Sequence, residues 1–201
     1  MPQFDEFFRE LDQRWLPSVA TPLTLRLIGS TALFAQTAYV RHTKDSDVIE
    51  TAEVTPPVRA ELERLGGKGS ELHLRHRMFV EVVGAAFPFL PREPAWRAVN
   101  PLVPPLQHLH FEALDVVDVA VAKLARYNLN DRGDIRAMAD LDLVDPDYFL
   151  ERFRSAVDVW SIEARGDDLP KIVRHFRRVW LDDLFQLSAP EIILPDWIAN
   201  E

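Results

Sequence analysis

At 201 residues with 47% hydrophobic side chains, the chain can bury the core of one domain, or of one domain and a small appendage. It has no cysteine, which excludes disulfides, thiolate metal ligands and cysteine nucleophiles. A formal net charge of −9 argues against a generic duplex-binding protein, whose affinity rests on neutralising phosphates. No run approaches the ~20 apolar residues that span a bilayer. The opening MPQFDEFFRE is acidic and amphipathic, unlike a secretory leader. The expectation is a soluble, cytoplasmic protein without a membrane partner.

Phe4, Phe7, Phe8, Leu11 and Trp15 fall at helical spacing, with Pro17 as the stop, and predict an amphipathic first helix with an aromatic core stripe. Leu23, Leu25 and Leu27 alternate with Thr24, Arg26 and Ile28, which predicts a strand. Gly29 breaks it, and Ser30 or Thr31 is placed to cap a helix reaching about Ala38. Lys44 to Glu50 predicts a second strand, with Asp45, Asp47 and Ile49 on one face. Pro56-Pro57 opens a helix carrying Val58, Leu62 and Leu65, and Gly66-Gly67 closes it. Glu71–Leu74 and Arg77–Val83 predict a hairpin turning near Arg75-His76. Phe79, Glu81 and Val83 then share a face of its second strand.

Between Gly84 and His108, six prolines argue against long regular elements and mark the best boundary in the chain. Beyond it the pattern is helical. Asp115 is placed to cap a helix to about Asn128, Asp131 a second, Asp145-Pro146 a third with Phe149, Phe153, Val157 and Trp160 inward, and Asp168-Leu169-Pro170 a fourth. In that fourth helix Lys171, Arg174 and Arg178 form a basic stripe. It is either a solvated face, a phosphate-contacting surface or a dock for an acidic partner. The tail APEIILPDWIANE is partly apolar and expected to lie back over the body. The boundaries drawn are 1–110 for a core and 111–201 for a helical C-terminal portion packed on it.

Two places carry chemistry. A Gly-Ser turn between strand and helix aims backbone N–H groups at a helix N-terminus, where phosphate oxygens are favoured, and the Ser30 hydroxyl adds a donor. Asp45 and Asp47, about 7 Å apart by strand rise, repel one another unless a cation lies beside them. Mg²⁺ takes hard oxygen donors and is often held by one or two carboxylates together with substrate phosphates. A lone Asp-x-Asp usually marks a solvated strand end. The position of this pair, one helix downstream of Gly29-Ser30, is what makes it informative. Glu81 sits in an apolar run and needs a partner, either a cation or a bridge to Arg75 or Arg77. His73, His76, His108 and His110 lack the tight paired spacing of a zinc site.

The succession IGSTAL (28–33), TKDSDV (43–48), VEVVGAAFPFLP (80–91) and DVAVAKLARYNLNDRGDI (118–135) resembles the polymerase-β-like nucleotidyltransferase superfamily, and more closely the AbiEii-type toxins and related bacterial nucleotidyltransferases. The resemblance covers roughly residues 20–140. It implies an α/β (α+β) fold, with a small antiparallel or mixed sheet, flanking helices and a helical C-terminal portion. It also implies that Gly29 and Ser30 hold the NTP, and that Asp45, Asp47 and Glu81 bind two Mg²⁺ ions and act in catalysis. Lys123 would contact phosphate, with Asp118, Asp131 and Asp134 in nucleotide binding. The implied activity is transfer of a nucleoside monophosphate to an RNA (tRNA) or protein hydroxyl, in a toxin–antitoxin or phage-defence setting with a cognate antitoxin as partner. The alternatives are a lapsed enzyme acting as a binding module through a protein partner, and a small-molecule nucleotidyltransferase. Two departures stand out. Ser46 replaces the usual apolar residue between the aspartates, and the third carboxylate is Glu rather than Asp.

Read from residues alone, several of these positions have simpler uses. Asp115, Asp131 and Asp145 sit where helices are capped, and Asp118 and Asp134 in first turns, where acidic groups are favoured. Lys123, on a mostly apolar helix, can snorkel to solvent.

Overall fold

The computed structural model describes residues 2–15, 22–39, 44–162, 166–184 and 189–195. Two compact units arise from one chain that crosses between them more than once. The first comprises residues 1–87 and 96–114, and the second residues 88–95 and 115–201.

Among the described residues, the first unit is built on a five-stranded mixed sheet. Its elements in order are α1 (Pro2–Arg14), β1 (Leu23–Leu27), α2 (Gly29–Gln36), β2 (Asp45–Ile49), α3 (Pro56–Gly66), α4 (Glu71–His76), β3 (Phe79–Val83), β4 (Trp96–Val99) and β5 (Leu109–Leu114). The strand order is β3-β2-β1-β5-β4. Antiparallel β1–β2 sets Leu27 against Val48, while β1–β5 and β2–β3 run parallel. The fold is therefore mixed α/β of the α+β kind. The aromatic stripe of α1 is core, as its spacing predicts. Phe4, Phe7, Phe8 and Leu11 are fully buried, and Phe8 meets Phe111 of β5 edge-on at 5.0 Å. The helix stop assigned to Pro17 lies outside the described residues.

Asp12 is a buried carboxylate in that amphipathic helix. Its carboxylate accepts backbone N–H groups of Gln107, His108 and Leu109 at 3.0, 2.8 and 2.9 Å. It thus satisfies the amides that lead into β5 before the ladder with β1 begins. Asp12→Ala orphans three amides at once, and is expected to cost about 3 kcal/mol of stability, measured by urea denaturation.

Two local expectations are corrected, and one strand is added. The segment read as the first strand of a hairpin is helix α4. Ser70 caps it by accepting the His73 N–H, and Arg77 ends it in the left-handed region. β3 therefore pairs with β2, in parallel, and not with a neighbouring hairpin strand. β5 was not anticipated at all. Its alternation of buried Leu109, Phe111 and Ala113 is short and directly abuts the helical run that follows. Helix α2 starts at Gly29 after Ile28, so neither Ser30 nor Thr31 is its cap.

The second unit is helical, with α5 (Val116–Lys123), α6 (Leu129–Asp140), α7 (Pro146–Trp160), a 3-10 turn (Gly166–Asp168), α8 (Leu169–Arg178) and a π-helical extension (Val179–Leu184). Asp115 and Asp145 cap α5 and α7. Asp131 is not the cap of α6. Asn128 is, and Asp131 closes a reciprocal capping box with it. The core stacks Phe153 on Phe176 at 4.1 Å and sets Phe89 edge-on to Trp160 at 5.0 Å. Phe89 comes from the proline-rich stretch, which thus contributes an apolar anchor to this unit. On α8, Lys171, Arg174 and Arg178 are exposed, while Ile172, Val173 and Phe176 are buried. Residues 189–195 carry no regular structure, with Ile192 buried, and the tail beyond Pro195 lies outside the described residues. No helix among the described residues is long and apolar enough to cross a membrane.

Candidate metal and nucleotide site

Strand register determines which carboxylates meet. β2 and β3 pair Asp45 with Phe79 and Asp47 with Glu81. Because side chains alternate, Asp45, Asp47, Phe79 and Glu81 occupy one face, and Ser46, Val48, Val80 and Val82 the other. The second set is buried, whereas Asp47 is half-buried and Glu81 exposed. One oxygen from each of Asp45, Asp47 and Glu81 lies within 4.8 Å of the others. Three carboxylates at that separation repel one another in water, and a divalent cation removes the conflict. The donor set is all hard oxygen, which suits Mg²⁺ and not a soft metal.

The turn from β1 into α2 is locked to this face. The Ile28 N–H donates to the Asp47 carbonyl at 2.9 Å. The Ser46 hydroxyl lies 3.4 Å from that of Thr31, which in turn donates to the Asp45 carbonyl at 3.2 Å. Both hydroxyls are buried. Ser46 thus points into the body, away from the carboxylates, and joins the first turn of α2 to β2. Its departure from an apolar residue leaves the donor set intact. At the far end of α2, Gln36 donates to the Leu114 carbonyl at 2.6 Å and holds the helix against β5.

Gly29 has φ +62°, and a Cβ there would lie 2.9 Å from Asp47 Oδ2. The positive φ demands glycine, and an added Cβ would force the Asp47 carboxylate to shift. Gly29→Ala is expected to cost about 1–3 kcal/mol and to push Asp47 out of the cluster. Thermal melting with and without Mg²⁺ reads both effects, as a lower Tm and a smaller gain on adding the ion. Ser30 follows at the start of α2, where Ile28 offers no capping oxygen. The first-turn amides of α2 thus begin beside the carboxylate face, the geometry that favours phosphate.

Glu81 is not bridged to Arg75, which pairs with Glu10 and Glu71 instead. His76 sits 2.7 Å from Glu10, and His73 accepts the Gly69 N–H at 2.8 Å; among the described residues neither histidine belongs to a metal cluster.

The other residues singled out by resemblance lie in the helical unit. Lys123 is buried, with its ammonium 2.7 Å from Asp134 and 3.2 Å from Asp131. Asp131 also receives Arg126 through Nε and Nη2, both at 2.9 Å. Burial alone would raise the Asp131 carboxyl. The Arg126 hydrogen bonds, the charges of Lys123 and Arg126 and the Asn128 amide outweigh it and hold the group below its ordinary range. Asp118 is fully buried and accepts both Arg152 Nε at 2.6 Å and Nη2 at 2.7 Å, together with the Ala95 N–H at 2.8 Å. Arg152 is the partner that sequence reasoning missed, since nothing local links positions 34 residues apart. Arg126 carries a visible signal, five residues before Asp131.

Among protein-family models, the one described as a nucleotidyltransferase of unknown function (DUF6036) matches residues 3–177. No curated protein and no solved structure matches the chain.

Proposed function

The chain belongs to the DUF6036 family of nucleotidyltransferases, and we propose that it is a Mg²⁺-dependent enzyme that moves a nucleoside monophosphate from an NTP to an RNA or protein hydroxyl. The observation that carries this reading is the convergence of Asp45, Asp47 and Glu81, one oxygen from each within 4.8 Å, on a face that also receives the start of α2. Carboxylates this close favour a bound cation, which a fold kept only for binding a partner would not require.

Asp45, Asp47 and Glu81 would hold Mg²⁺. When bound, the ion supplies charge neutralisation at the transferred phosphoryl group and the departing pyrophosphate. The chain's own groups do the positioning. Gly29 and the Ser30 hydroxyl orient the triphosphate at the first turn of α2. Glu81, an exposed member of the three, takes the proton of the acceptor hydroxyl. The acceptor oxygen then bonds to the α-phosphorus, the bond from that phosphorus to the β-bridging oxygen breaks, and pyrophosphate leaves with the bonding electrons.

The test is incubation of the protein with each α-labelled NTP, Mg²⁺ and a cell extract. Label in RNA or protein is the expected result, and label in a small molecule would move the acceptor to another class. No incorporation from any NTP, together with no Mg²⁺-dependent nucleotide binding, would sink the enzyme reading. The toxin or phage-defence setting that the AbiEii-type resemblance implies, with a cognate antitoxin, is part of the proposal. Growth inhibition on expression should vanish with Asp45→Ala, whereas a partner-binding module would keep it.

A further inference from the structure

On the far side of Glu81 from β2, the sheet ends among the described residues. β3 is an edge strand, and a cleft of about 380 Å³ runs along it. Phe79 and Glu81 line it on one side, and Arg59 and Glu63 of α3, with Lys68 just beyond its end, on the other. That volume falls within the ~300–1,000 Å³ of small-ligand sites and suits about one nucleotide.

Building on the transferase reading, we infer that this cleft receives the 3′-terminal nucleotide of a single-stranded RNA acceptor, with its phosphate on Lys68, its base on Phe79 and its sugar hydroxyl toward Glu81. Four observations support the assignment. First, Phe79 is two residues from Glu81 on the same strand face, about 7 Å away by strand rise, which is close to the span from a nucleobase to its sugar hydroxyls. Second, the Lys68 ammonium sits over the Phe79 ring at 6.0 Å, the outer limit of a cation–π contact. An incoming phosphate takes the ammonium and leaves the ring face for a base.

Third, the two cations of the cleft are not equivalent. Arg59 is committed to Glu63, to Glu50 and to the Val82 carbonyl. Lys68 is exposed and forms no ion pair among the described residues. Fourth, in a chain of net charge −9, an anionic acceptor beside three carboxylates needs a local positive charge. A serine or tyrosine of a protein acceptor needs neither that cation nor a stacking ring, so the chemistry favours RNA.

The experiment is fluorescence anisotropy of a 5′-fluorescein single-stranded RNA decamer against the full chain in Mg²⁺ buffer, paired with transfer from α-labelled NTP to the same RNA. Lys68→Ala is expected to weaken decamer binding about tenfold and to flatten its salt dependence, with Lys68→Arg recovering most of the loss. Phe79→Ala is expected to weaken binding by about 5- to 100-fold, the range of one stacked base, with Phe79→Tyr close to wild type. Neither change should alter Mg²⁺-dependent NTP binding, which separates loss of this cleft from loss of the fold or of the NTP site. Decamer affinity unchanged by both Lys68→Ala and Phe79→Ala overturns the assignment. So does loss on Lys171→Ala with Arg174→Ala instead, which places RNA on α8. Label found in protein alone overturns it while leaving the transferase intact. A wild type that binds decamer through Lys68 and Phe79 yet transfers nothing from any NTP supports the cleft and removes the transferase.

Discussion

Asp47→Asn is expected to reduce nucleotidyl transfer by on the order of 10³-fold or more without lowering thermal stability in metal-free buffer. The substitution keeps the volume and a hydrogen-bonding oxygen beside Gly29, and it removes one of three negative charges whose oxygens lie within 4.8 Å. Relief of that repulsion holds or raises the Tm when no cation is present. Adding Mg²⁺ and NTP should reverse the order. A ligand at a hundred times its Kd adds about 2.7 kcal/mol to the protein that binds it, and the variant should gain little of this. The crossing of the two melting series is the signature. A purely structural Asp47 would make the variant less stable under both conditions.

The second large effect is expected at Lys123. Lys123→Met should cost about 3–5 kcal/mol, because it leaves Asp131 and Asp134, both almost fully buried, without their shared cation. Adding Asp134→Leu to Lys123→Met should return part of the loss, since an apolar pair does not carry the desolvation cost of a buried carboxylate that has lost its lysine. Urea denaturation of the two variants checks this. Arg126 still holds Asp131 in both variants.

The same network gives a pH dependence. Asp131 is held below its ordinary value of about 3.8, so its contribution to stability is complete above that value and is lost as pH falls through the lowered one. Stability of the wild type should therefore decline below about pH 4, and Asp131→Asn should decline less steeply.

These two clusters show what the sequence reveals and what it hides. Asp45 and Asp47 are legible because a strand places alternate residues on one face, and Gly29 because a strand-to-helix turn with a positive φ requires it. Glu81 is legible only as a charge in need of a partner. Which strand it lies beside depends on the parallel β2–β3 pairing, a contact between segments more than 30 residues apart. The false hairpin at 71–83 arose at the same place. The apolar Leu72 and Leu74 look like strand alternation, but Ser70 caps a helical turn whose Leu72 is buried while Leu74 is exposed.

In the helical unit, capping chemistry is local, so Asp115 and Asp145 could be read directly. Asp131 was displaced by three residues because both Asn128 and Asp131 are good N-terminal residues, and only the reciprocal box distinguishes them. The first-turn place of Asp118 could be read, but not its bonding, since its partner Arg152 lies on another helix and its third donor is the backbone of Ala95. Asp12 likewise looks like an ordinary polar position of an amphipathic helix, and its three amide partners are more than 90 residues away.

The central claim is that Asp45, Asp47 and Glu81 form one divalent-cation site. Its most direct test is Mn²⁺ binding followed by electron paramagnetic resonance in the presence of a non-hydrolysable NTP. Wild-type protein should bind Mn²⁺, Asp45→Asn and Asp47→Asn should lose that binding, and Glu81→Gln should weaken it. Equal binding by wild type and all three variants would contradict the account.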